Sequence, residues 1–164
     1  MTLRSLSAVS ALCVAVAACS NPDAGPAAPV VDGVDVASQS APNPPGIQMM
    51  VGGRQITAEL ADNPTARDLA TQLPITLDFH DLNGVEKIAR LPRALTTDGV
   101  PAGADPEVTD IGYYAPSQDL VLYYGDVGYW NGIVRIGRFD RDELPFVQSQ
   151  PDGFTVTLDR QDTP

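Results

Sequence analysis

Between residues 47 and 164 the apolar side chains recur at every second position in short runs, and the runs are separated by glycine, proline, asparagine and aspartate. A strand sends successive side chains to opposite faces, so each run has one face to bury and one to leave wet. Ile47-Gln48-Met49-Met50-Val51 and Arg54-Gln55-Ile56-Thr57-Ala58-Glu59-Leu60 are separated by Gly52-Gly53, the spacing of a two-residue hairpin turn. The period changes once. Asn63 is placed to cap, Pro64 suits the first helical position, and Ala66, Leu69, Ala70 and Leu73 follow a helical spacing that Pro74 ends. Ile75, Leu77 and Phe79 then alternate with Thr76, Asp78 and His80, and Asn83-Gly84 turns the chain into Val85–Leu91. A patternless loop, 92–107, precedes runs at 108–114, 119–124 and 132–139, joined by 115–118 and 125–131. A short turn at 140–144 and a last run through Phe154, Val156 and Leu158 complete the chain. Seven or eight short strands with one helix predict a mainly β domain closed into a barrel, since closure leaves no strand edge exposed.

Burial and hydrogen bonding must hold this domain, because both cysteines, Cys13 and Cys19, precede it. Cys19 has another use. An apolar run from Leu6 follows Arg4 and ends in Val16-Ala17-Ala18-Cys19-Ser20, which looks like the signal peptide of a bacterial lipoprotein. In such signals the cysteine thiol takes a diacylglyceryl thioether, and cleavage then frees its amino group. An ordinary signal peptide with an incidental cysteine is the alternative. The run is shorter than the roughly 20 apolar residues of a spanning helix. Two or more acyl chains, such as palmitate, on one residue give stable attachment, whereas a single chain gives only marginal binding. Residues 1–18 are thus read as a signal, and 19–46, rich in Pro, Ala, Gly and Ser, as a lipidated disordered tether. A coil of that length spans about 30 Å. The expected location is the cell envelope, outside the cytoplasmic membrane, with residues 47–164 as the folded part.

That part carries eighteen acidic and nine basic residues. Such a balance argues against nucleic acid, whose phosphates need lysine and arginine. His80 is the sole histidine, on the polar side of its strand beside Asp78 and Asp81, and reads as a surface residue. Asp98, Asp105, Glu107 and Asp110 lack EF-hand spacing and read as a solvated loop, so no metal is expected. Nucleophile-elbow, phosphate-loop and dinucleotide motifs are absent, and no cofactor is expected.

Leu73-Pro74-Ile75-Thr76-Leu77, Leu82-Asn83-Gly84-Val85-Glu86-Lys87, Gly112-Tyr113-Tyr114, Leu120–Gly125 and Arg135-Ile136-Gly137-Arg138-Phe139-Asp140 occur in an order that resembles the small bacterial cyclophilin-like family, over about Met49 to Arg160. The resemblance implies a closed eight-stranded barrel with one short capping helix. Prolyl isomerisation in cyclophilins needs an arginine beside an aromatic pocket. The Phe-His-Phe and Gln-x-Gly-Asp signatures around those groups are missing, and Phe79-His80-Asp81 matches only the first two residues of one. Arg135 is the nominated arginine, with Arg90 and Arg138 as equally available strand-end alternatives. Tyr129 and Trp130 are the nominated ligand contacts. The expected function is a membrane-anchored binding or interaction module without catalysis, with a protein or peptide as possible partner. A diverged envelope prolyl isomerase and a small-molecule carrier using the barrel mouth are the alternatives.

Because the thioether needs the Cys19 sulfur, Cys19→Ser should move the protein from the detergent-rich to the aqueous phase in a detergent-partition assay. Unchanged partitioning would remove the lipid anchor.

Overall fold

The computed structural model describes residues 46–161. The signal segment 1–18, Cys19 and the tether up to residue 45 lie outside the described residues. Eight strands close into an antiparallel barrel. They are β1 (Gly46–Val51), β2 (Arg54–Leu60), β3 (Ile75–Leu82), β4 (Glu86–Arg90), β6 (Asp110–Tyr114), β7 (Asp119–Tyr123), β9 (Ile133–Phe139) and β10 (Phe154–Arg160). Around the barrel the order is β1-β10-β3-β4-β7-β6-β9-β2, and β2 returns to β1. Two-residue strands β5 (Gly103–Ala104) and β8 (Trp130–Asn131) pair with each other outside it. At the first hairpin Gly52 and Gly53 take φ of +56° and +83°, both positive as a type I′ turn requires.

Alternation decides what lies inside. Ile47, Met49, Ile56, Leu77, Phe79, Val156 and Leu158 share one buried core, and the Phe79 and Phe154 rings stack with centroids 5.5 Å apart. Helix α1 (Pro64–Gln72) adds Ala66 and Leu69 to that core. Its cap residue Asn63 has two tasks: Oδ1 accepts from the Ala66 N–H, and Nδ2 donates 2.9 Å to the Arg135 carbonyl on β9.

Among the described residues, the inner face carries one fully buried ammonium. Lys87 alternates with Ala89 on the inner face of β4 and is only 2% exposed. Its ammonium donates 2.8 Å to Asp81 Oδ2 and 2.8 Å to the Gln150 carbonyl, and it lies 5.3 Å from the centre of the Tyr124 ring. Tyr124 also donates its hydroxyl to Asp81. The bond from Lys87, then that from Tyr124, holds the Asp81 carboxyl below its ordinary range, while burial first and Asp81 second push the Tyr124 phenol up to about 12.

Three details depart from the sequence reading. The barrel opens at Gly46, one residue before the expected boundary. Loop 92–107 and the joining segment 125–131 are not wholly irregular, since they contain β5 and β8. The expected turn at 140–144 is a 3₁₀ turn, Arg141–Glu143, leading into a five-residue helix, α2 (Leu144–Gln148). Asp140 caps the turn through a bond from the Asp142 N–H, and Val147 is buried, but five residues are too few to display a helical period.

Phe79 is fully buried, so Phe79→Ala should cost about 3–5 kcal/mol in urea melts. A loss below about 1 kcal/mol would contradict the register of β3.

Asp81→Asn should destabilise more than Lys87→Met, because the first change leaves a buried ammonium without its carboxylate while the second removes the buried charge itself. Asp81 has a lowered folded value, so its contribution is complete above the ordinary value of 3.8 and fades as pH falls through the folded one. Urea midpoints of wild type and Asp81→Asn should therefore converge in acid.

Candidate functional site

The barrel is covered on part of its outside. On β7, Leu120 and Leu122 face the core, whereas Val121 and Tyr123 face outward and are still buried. With Ile133 they form a second apolar cluster, against which Ile88, Ala104, Tyr114 and Val127 pack. The register explains the grouping: Val121 lies opposite Ile88 on β4 and opposite Gly112 on β6, so outward positions of neighbouring strands adjoin. Gly112 is required here. A Cβ on it would fall 2.6 Å from Cε2 of Tyr123, so only glycine lets that ring lie across β6.

Above this layer is a groove of about 250 Å³. Ile88, Val121 and Tyr123 line it from the sheet, Val127 and Trp130 from the following loop, and Glu86 and Asp119 supply carboxylates. Trp130 is 59% exposed, and its Nε1 donates 2.9 Å to the Val127 carbonyl, which fixes the indole at the rim. Burial, and then the charge of Asp119, raises the Glu86 carboxyl above its ordinary value. Burial is also the main cause that raises the Tyr123 phenol, with Glu86 and Asp110 adding to it. Ser117 donates its hydroxyl to Asp119. No basic residue lines the groove, and among the described residues neither Glu86 nor Asp119 joins an ion pair. Arg90 stands opposite Asp119 in the ladder but is not among the lining residues.

The nominated residues separate. Trp130 lines the groove; Tyr129, also exposed, is not among the lining residues, and its hydroxyl lies 3.4 Å from Asn131 Oδ1. Arg135 sits in a different depression, of about 310 Å³, shared with Arg138, Asp110 and Glu59. Its Nε lies 2.5 Å from Asp110 Oδ2, and its terminal nitrogen is 3.5 Å from Glu107. Arg138 contacts the same pair, at 3.0 Å from Asp110 and 2.7 Å from Glu107. Asp110 is therefore not part of a solvated loop. It is 2% exposed on β6, beneath two guanidinium groups, whereas Asp98, Asp105 and Glu107 are exposed as expected. His80 is exposed, with Nδ1 3.5 Å from Asp152. Among the described residues no group of three potential ligands could hold a metal.

Glu86, Asp119, Ile88, Val121 and Tyr123 were not singled out as site residues. Their signal is the loss of alternation in Leu120-Val121-Leu122-Tyr123-Tyr124 and Ile111-Gly112-Tyr113-Tyr114. Strands that are apolar at successive positions are covered on both faces, and here the second cover is the groove.

Solved structures share the fold. A hypothetical protein from Archaeoglobus fulgidus, determined in solution, has a TM-score of 0.59 at 18% identity, with 75% of this chain and 99% of that one covered. McbB, solved in complex with tryptophan, has a TM-score of 0.53 at 12% identity, over 72% of this chain and 45% of McbB. No curated protein sequence matches the chain. The sequence profile of the cyclophilin-like family matches residues 49–159, from within the first strand to within the last. With the closed barrel and its order of strands, that match makes this chain a member of the cyclophilin-like family.

Proposed function

We propose that the protein is a cyclophilin-like binding module of the cell envelope, anchored to the membrane by lipid on Cys19, and that its outer groove holds a ligand without catalysing prolyl isomerisation. The observation that carries this reading is that no arginine lines the aromatic groove. Crossing the amide barrier, roughly 18–20 kcal/mol, localises a lone pair on the prolyl nitrogen, which a positioned donor stabilises. The groove instead offers two carboxylates, which accept hydrogen bonds. Arg135, the nominated donor, spends its guanidinium on Asp110 and Glu107 and borders another depression. The carrier alternative moves with the geometry. Phe79, Met49, Leu122 and Leu158 are among the side chains that pack the barrel interior, so a small ligand would sit in the outer groove and not in the barrel mouth.

The full-length protein, kept in detergent, should leave cis/trans exchange of an Ala-Pro peptide at its uncatalysed rate, with time constants of tens to hundreds of seconds, as measured by NMR exchange or protease coupling. Acceleration proportional to protein concentration and abolished by Arg135→Ala would overturn the reading in favour of a diverged isomerase.

A further inference from the structure

We infer that the outer groove is a receptor for small organic cations, a protonated amine carried on an aromatic or alkyl body, with the body on Ile88, Val121 and Val127, the ammonium drawn by the combined charge of Glu86 and Asp119 at the two ends of the β4–β7 ladder, and Trp130 at the rim. This rests on the reading of the groove as a binding site and names what the site takes.

Three observations converge. The sheet side of the groove is apolar, so it favours a hydrocarbon body. Its charged lining residues are both acidic, and neither is compensated by an ion pair among the described residues. That arrangement is costly without a guest, because a partly buried carboxylate loses hydration and finds no positive charge in return. The raised Glu86 carboxyl shows the cost, and a cation relieves it. The third observation is the indole of Trp130, held by its bond to the Val127 carbonyl with its ring exposed at the rim. Tryptophan offers the best of the aromatic faces to a cation.

Size and charge narrow the class further. A cavity of about 250 Å³ is small for a drug-sized ligand, which usually occupies about 300–1,000 Å³, and suits a single ring or short chain. An anion meets two like charges, and a zwitterionic amino acid brings a carboxylate into the same field. Arg90, opposite Asp119 in the ladder, is the nearest competitor for that carboxylate, but no ion pair joins them. Ser117 donates a hydroxyl hydrogen bond to Asp119 and brings no charge of its own to the groove.

Trp130 is the sole tryptophan of the chain, so its fluorescence reports the groove directly. Titration of the full-length protein in detergent with 2-phenylethylamine, 2-phenylethanol and 3-phenylpropionate presents one ring with a positive, a neutral and a negative end. The amine should saturate, bind about ten-fold more tightly than the alcohol, and leave the propionate without a measurable effect. Glu86→Gln should bring the amine close to the alcohol while leaving the alcohol's affinity unchanged, which also certifies that the variant is folded. Asp119→Asn, at the other end of the β4–β7 ladder, serves the same purpose if Glu86→Gln fails to fold. Asp159→Asn, which removes an exposed charge on β10, should leave amine binding as it is and so excludes attraction to net negative charge alone. Equal binding of amine and alcohol would keep the groove as a binding site and overturn the cation inference. Tighter binding of the propionate would overturn it as well. Failure of all three to perturb Trp130 would remove both the inference and the groove-binding reading.

Discussion

Closure of the eight-stranded sheet is the constraint on which the rest of the molecule depends. Because β1 pairs with both β10 and β2, every strand of the barrel has two neighbours. No strand is left as a free edge, and the groove lies on the outer surface of the closed sheet. The outer faces of β4, β7, β6 and β9 carry an apolar layer of their own. The loop after β7 then folds back across that layer, and the space between is the groove.

Two charge clusters show how the same barrel uses ionic groups in opposite ways. Around Asp110 the charges are matched, with two arginines and Glu107 closing on one buried carboxylate between β6 and β9. At Lys87 the match is inside, where Asp81 and the Gln150 carbonyl satisfy an ammonium that alternation has sent inward. Both clusters fix the relation of neighbouring strands. Glu86 and Asp119 lie on the outer face with no such partner, and the contrast sets the groove apart from the structural clusters.

How much of this the sequence displays depends on how many faces a residue type reports. Where one face is wet, as in Leu77-Asp78-Phe79-His80, the alternation tells which side is inside, and Phe79 is indeed fully buried. Gly52-Gly53 and Asn83-Gly84 mark their turns because both positions need positive φ. Asn63 and Pro64 mark the start of α1 for equally local reasons. Leu120 to Tyr124 is another matter, because an unbroken apolar run hides which residues serve the core and which serve the outer layer. Lys87 and Asp110 were illegible for a related reason. A charged residue looks exposed until its partner is known, and the partners of Lys87 and Asp110 come from other strands and from the loop before β10.

The ladder between β5 and β8 has a consequence for how the groove can vary. It joins Gly103–Ala104 to Trp130–Asn131, two residues on each side, and belongs to no part of the barrel. So short a pairing opens at a small fraction of the free energy needed to unfold the eight-stranded sheet. The wall that carries Trp130 thus opens more readily than the floor that carries Val121 and Tyr123. Exchange of amide hydrogens in that wall can be fast while the floor stays protected, and its residues can be replaced over evolutionary time without disturbing the register beneath.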